Sequence, residues 1–213
     1  MTKDAKKSNN DETHQIQDNN KRKVVLLMGM GLNGINAEGW FPPAETKDEA
    51  KEILEDGWKL LDSIDTFILG RVTFQMWEKH WPRQANSSSD FSKRFSLFVD
   101  KIQKIVISTT LKSVNWQNSK VIKEDIGTEI SRIKKLPGKN IAVVGGPRIA
   151  QTFIKLNLID EYQLYLHQII FGPGKSLLGT LDIDRQLKLI DIKKFASGGL
   201  RLHYCTINNS NNA

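Results

Sequence analysis

The chain has 213 residues, 39% of them hydrophobic and 26% charged, with a formal net charge of +7. That length and balance suit one globular domain, with or without a tail, able to bury a core without covalent staples. One cysteine, Cys205, excludes an intrachain disulfide and fits a reducing, cytoplasmic compartment, and four scattered histidines (His14, His80, His167, His203) show no metal-ligand spacing.

Residues 1–22 are rich in Asn, Asp, Lys and Gln and almost free of apolar residues. Such a stretch cannot repay its ordering entropy, so it is predicted to be a disordered tail. Residues 1–23 carry six basic against four acidic side chains, leaving +5 for the remainder. A basic surface attracts phosphate-bearing ligands, although a solvated surface with a cationic bias is the plainer reading. No interleaving of basic and aromatic residues supports nucleic-acid binding. KRKVVLLMGMGL (21–32) imitates a signal peptide, but it follows a long polar stretch, contains two glycines and lacks a small-x-small cleavage site. It is also far shorter than the roughly 20 residues of a membrane helix. It reads as a buried strand.

Continuous apolar runs then recur: VVLLM (24–28), TFIL (66–69), KIVIS (104–108) and IAVV (141–144). Runs of this length suit strands buried on both faces, as in a parallel sheet. Between them, helical spacing is predicted over 46–61, 71–77, 90–99, 126–136 and 148–158. GMGLNG (29–34) fits the pattern GxGxxG, but INAEGWFPP follows and cannot open a helix, so the match is read as chance in a flexible loop. After residue 160 the pattern alternates, and Ala196-Ser197-Gly198-Gly199 forms a good hairpin turn. The expected fold is α/β, with a mostly parallel sheet flanked by helices and a C-terminal antiparallel hairpin over 23–207. Residues 208–213 (NNSNNA) form a second polar tail.

Three strand ends carry polar or glycine residues: TFILGRVTF (66–74), KIVISTTL (104–111) and IAVVGGPRI (141–149). Ligands of open α/β sheets bind beyond the carboxyl ends of the strands. Helix starts there present free amides to anions. Three such ends point to a ligand with several phosphates. Gly145-Gly146 is equally compatible with a plain strand–helix corner.

The motifs MGMGLNGINAEG (28–39), DTFILGRVTFQMW (65–77), KIVISTTLKSVNWQNSKVI (104–122), IAVVGGPRIAQTFIKLNLIDEYQLYLHQIIFGPGKSLL (141–178) and GGLRLHY (198–204) follow one another in an order that resembles the dihydrofolate reductase-like superfamily. The branch it looks closest to contains the reductase domain of riboflavin-biosynthesis deaminase-reductases and stand-alone bacterial dihydrofolate reductase family proteins. The resemblance implies an NADPH-dependent oxidoreductase that reduces a pterin-like or ribosylamino-pyrimidine heterocycle. Dihydrofolate reductase proper and a non-catalytic NADPH-binding module are the alternatives. It implies that Gly145, Gly146, Pro147, Arg148 and Ile149 line the pyrophosphate. Gly70, Arg71 and Thr73 would hold phosphates from the other side, Ser108 and Thr109 would reach the adenosine end, and Gly29 would face the nicotinamide. The branch often has Asp where this chain has Asn33, which leaves Asn33 to bind substrate or shape a turn. WFPPAE (40–45) resembles the segment that grips the pterin in true dihydrofolate reductases, making Glu45 the candidate catalytic carboxylate and Trp40 a wall for a flat substrate. His167 is read as structural, Trp116 and the tyrosines as packing residues. A homodimer is expected from the family's habit.

Overall fold

The computed structural model describes residues 21–37, 47–179 and 181–207. The apolar runs become strands β1 (Val24–Gly31), β2 (Ile64–Gly70), β3 (Gln103–Ile107) and β5 (Asn140–Val143), with β4 (Ser119–Ile122) between the last two in sequence. β6 (Glu161–His167), β7 (Leu187–Lys194) and β8 (Leu200–Thr206) complete an eight-stranded sheet in the order β4-β3-β2-β5-β1-β6-β8-β7. All pairs from β4 to β6 are parallel, and β8 is antiparallel to both β6 and β7. The helices are α1 (Lys47–Leu61), α2 (Arg71–His80), α3 (Asp90–Lys101), α4 (Ile126–Lys134) and α5 (Pro147–Lys155).

Strand alternation sorts the core into two layers. Ile68, Ile141 and Val143 face one side, where they meet Ile130 and Ile133 of α4 and Ile149, Phe153 and Ile154 of α5. Phe67, Leu69, Ala142 and Val144 face the other, against Leu61 of α1, Phe74 of α2 and Val99 of α3. Continuous apolarity in these strands therefore reflects helices on both faces.

Three details depart from the sequence reading. β1 does not end before GMGLNG: Gly29, Met30 and Gly31 are strand residues, and only Leu32–Gly34 turn, closed by Gly34 N donating to Gly31 O at 2.9 Å. β4 was not anticipated, because SKVI has too few apolar residues to stand out. β6 belongs to the parallel part of the sheet through β1, so the antiparallel portion begins at β8. The hairpin turn lies where expected, with Phe195 N donating to Gly199 O and Gly198 N to Phe195 O.

Candidate active site

Two helix starts meet at the carboxyl ends of neighbouring strands. β2 hands over to α2 at Gly70, and β5 to α5 at Gly146. Both N-cap residues are extended, neither helix start has a side-chain cap, and neither first turn contains an acid. The first turns instead carry Arg71 and Arg148, both exposed. Arg71 Nη1 donates to Gln75 Oε1 at 3.0 Å. Gly145 has φ +115°, and a Cβ there would lie 2.7 Å from Thr73 Oγ1. That position requires glycine for the corner itself, because the β5–α5 turn lies flush against buried Thr73. Gly70 has room, with Ile149 Cβ at 3.8 Å from a Cβ placed there. Gly70, Thr73, Gly145 and Ile149 are thus brought together at one point, and Gly146, Pro147 and Arg148 continue from it.

The third strand end is organised differently. Ser108 is buried, and its Oγ accepts from Thr110 N at 3.2 Å and Leu111 N at 3.0 Å. Its oxygen shapes the turn after β3. Thr109 is exposed beside it.

A cavity of about 590 Å³ lies between the sheet and α1, α2 and α3. Thr73 and Gly145 belong to its lining, so it opens onto the paired helix starts. Met28, Gly29, Val144, Tyr165 and His167 line it from the sheet side. Leu54 and Trp58 come from α1, Met76 and Trp77 from α2, and Phe91 and Phe95 from α3. The aromatic rings pack edge to face, with centroids 5.8 Å apart for Trp77–Phe95 and 4.6 Å for Trp81–Phe95. A second cavity, about 380 Å³, shares Asn36 and Ala37 with the first and reaches Pro147.

His167 and Gly29 are in close approach: a Cβ on Gly29 would lie 2.8 Å from His167 Nε2. Burial pushes the His167 imidazole down to about 4, so it is neutral at pH 7. Tyr165 donates to Asp56 Oδ2 at 2.9 Å and stacks on Phe195. Asp56 is itself buried and pairs with Arg201 at 3.0 Å and Lys193 at 3.1 Å. Burial and the Asp56 carboxylate raise the Tyr165 phenol, which stays protonated.

Asn33 lies outside both linings. Its Nδ2 donates to Phe171 O at 2.8 Å and its Oδ1 accepts from Phe171 N at 3.3 Å, so it ties the β1 turn to the loop after β6. Asn36, three residues on, lines both cavities. Glu45 and Trp40 lie outside the described residues. His167 and Tyr165, read from sequence as structural and packing residues, face a cavity. Trp116 is a packing residue as read, with its Nε1 donating to Asp100 at 2.9 Å. Among the described residues there is no metal-binding group of His, Cys, Asp or Glu, and no helix long and apolar enough to cross a membrane.

This site can be set beside known proteins. An uncharacterised Bacillus subtilis protein, YyaP, is 33% identical over 144 residues, covering 68% of this chain and 75% of its own. A putative riboflavin biosynthesis protein from Shewanella sp. PV-4 superposes with TM-score 0.64 at 18% identity, covering 87% of this chain and 99% of that one. Dihydrofolate reductase from Enterococcus faecalis, solved in complex with NADP(H), superposes with TM-score 0.53 at 14% identity, covering 88% and 99%. These structural likenesses establish a dihydrofolate reductase-like fold. The RibD C-terminal domain matches residues 22–200, and the chain belongs to that reductase-like family.

Proposed function

We propose that the protein is an NADPH-dependent reductase that delivers hydride to a flat, electron-poor heterocycle, of the pterin or ribosylamino-pyrimidine kind. One observation carries this reading. Two uncapped helix starts adjoin, and each has an arginine where the helix dipole favours an acid. An arginine at that position is unfavourable by itself and becomes favourable when it shares an anion with the free amides. A dinucleotide's phosphates supply that anion. Binding of NADP(H) by the Enterococcus faecalis relative supports the same assignment.

The residues fit the group. Gly145 keeps the main chain flush against Thr73, and the amides of Arg148 and Ile149 start α5 without competition from a cap. Pro147 offers no amide but fixes the backbone for the first turn. Arg71 and Arg148 provide charge for the phosphates, including the one that distinguishes NADPH from NADH. Ser108 and Thr109 close the adenosine side. The bound cofactor supplies the hydride. Met28 and Gly29 within β1 position the acceptor, and the apolar cavity walls keep water away from it. The Tyr165 proton is committed to Asp56, so the acceptor's proton is assigned to water or to Glu45. Exposed Leu189, Ile190 and Ile192 on edge strand β7 support a homodimer through that edge; light scattering on the eluting protein tests it.

Tryptophan-fluorescence titration with NADPH and NADH tests the cofactor assignment. Micromolar binding of NADPH with weaker NADH is the expected result. No binding of either nucleotide overturns it.

A further inference from the structure

Helix α1 is held to the sheet in two different ways. Trp58, Leu60 and Leu61 join the apolar layer that packs on β2, β3 and β5. Toward β6, β7 and β8 the helix presents carboxylates instead. Asp56 is buried and gathers one side chain from each of those strands. Tyr165 of β6 donates its hydroxyl to Oδ2 at 2.9 Å, Lys193 of β7 pairs with Oδ1 at 3.1 Å, and Arg201 of β8 pairs with Oδ2 at 3.0 Å. Glu52, one turn earlier, accepts from Ala196 N at 2.9 Å and lies 3.8 Å from Lys193. Arg201 also donates to Gln163 Oε1 at 2.8 Å and pairs with Asp191 at 3.2 Å.

This cluster reaches the cavity through Tyr165. The β1–β6 register sets Tyr165 directly beside Gly29, and both line the cavity. The Tyr165 ring is held at two points. Its face stacks on buried Phe195, 12° from parallel at 6.0 Å, and its hydroxyl is fixed on Asp56. Ile53, Leu54, Gly57 and Trp58, which flank Asp56 on α1, line the same cavity. One carboxylate therefore sets both a wall of the cavity and a ring next to Gly29. A buried ion cluster adds little net stability over apolar packing, and what it fixes is geometry.

We propose that Asp56 is a positioning residue for the reductase: it holds the Tyr165 ring and the α1 wall where they seat the acceptor against Gly29. This inference rests on the reductase reading and adds to it a residue that acts through others. A misplacement of about 1 Å at the reacting atoms costs on the order of a hundredfold in rate. Loosening the cluster therefore shows in kcat. Nucleotide affinity is spared, because the paired helix starts belong to α2 and α5.

Steady-state NADPH oxidation with dihydrofolate and, separately, with amino-phosphoribosylamino-uracil tests the proposal on the parent, Tyr165→Phe, Asp56→Asn and Lys134→Met. Tyr165→Phe keeps the ring and removes only the hydroxyl tether, so it decides the matter even where Asp56→Asn, which strips Arg201 and Lys193 of their shared carboxylate, fails to fold. We expect kcat to fall about tenfold in Tyr165→Phe and further in Asp56→Asn, with the NADPH dissociation constant within about twofold of the parent. Lys134→Met breaks a 2.6 Å ion pair with Asp160, just before β6. It should lower the urea midpoint and leave kcat unchanged, which separates positioning from stability. Unchanged kcat in Tyr165→Phe overturns the proposal, as does an equal loss of kcat in Lys134→Met. A parent that oxidises NADPH with neither acceptor removes the reductase reading and this inference with it; an active parent with indifferent variants removes this inference alone.

Discussion

The two halves of the cleft are built by opposite means. At the β2–α2 and β5–α5 junctions the main chain presents the free amides of two uncapped helix starts, with exposed arginines at the rim. In the cavity next to them, residues from three α-helices and three strands form an apolar enclosure that buries polar groups in internal pairs, such as Tyr165 with Asp56. The first half presents amides and positive charge and is readable from short motifs. The second half is apolar in its described lining and is assembled from residues far apart in sequence. Gly145 and Thr73 are where the halves touch, so substitutions there act on both.

The largest expected effect is at that contact. Gly145→Ala places a methyl group 2.7 Å from Thr73 Oγ1 on a backbone with φ +115°, a conformation that strains any residue with a Cβ. We expect a loss of about 3 kcal/mol of stability by chemical denaturation together with loss of nucleotide binding. Gly70→Ala is the matched control, since its nearest neighbour would be an ordinary 3.8 Å contact with Ile149 Cβ and its backbone is extended. It should leave stability within about 1 kcal/mol of the parent. Equal effects of the two substitutions would break the distinction between a required corner and a roomy one.

A smaller effect probes the uncharged half through pH. His167 has a folded-state pKa lowered to about 4 by burial, against 6.5 for the free side chain. The unfolded chain therefore binds the extra proton first. The contribution of neutral His167 to stability is complete above pH 6.5 and is lost as pH falls toward 4. Between pH 7 and 5 this amounts to about 2 kcal/mol, each pKa unit of difference being worth about 1.4 kcal/mol. His167→Gln should flatten that part of the stability profile, as measured by urea midpoints across the range. An unchanged profile would mean that the imidazole accepts a proton in place and that burial does not hold it neutral.

The two strand-to-helix corners were legible in the sequence, and the reason is local. Apolar runs ending in Gly70 or Gly145-Gly146 mark strand-to-helix corners directly, and helix starts bind anions wherever they occur. The two-layer core was legible for the same reason, since alternation within Phe67–Leu69 and Ile141–Val144 decides each side chain's face. The cavity was not. His167 reaches it because β6 pairs with β1 in the register Gly31↔His167, a long-range pairing that no window of sequence encodes. Tyr165 looks like any strand tyrosine until Asp56, 109 residues away, takes its hydroxyl. β4 escaped because its apolar content is too low for its four residues. The reading of GMGLNG as a loop failed because glycines in a strand pattern normally signal a break, whereas here Gly29 makes room for His167.

The smallest effects belong to Arg71 and Arg148, and they define how far the charged half depends on side chains. Both are exposed, so a phosphate contact made by either is partly screened by solvent and salt. Each alanine substitution should raise the NADPH dissociation constant about fivefold, equivalent to roughly 1 kcal/mol. Because both would contact one dinucleotide from adjoining helices, the double variant should lose more for NADPH than for NADH, which lacks the 2′-phosphate. Raising the salt concentration should shrink the difference between parent and double variant, since an exposed ion pair weakens as the Debye length falls. The fluorescence titration already described measures all of this. If the variants bind NADPH as the parent does at low salt, the main-chain amides alone hold the phosphates, and the arginines drop out of the site while the helix starts remain in it.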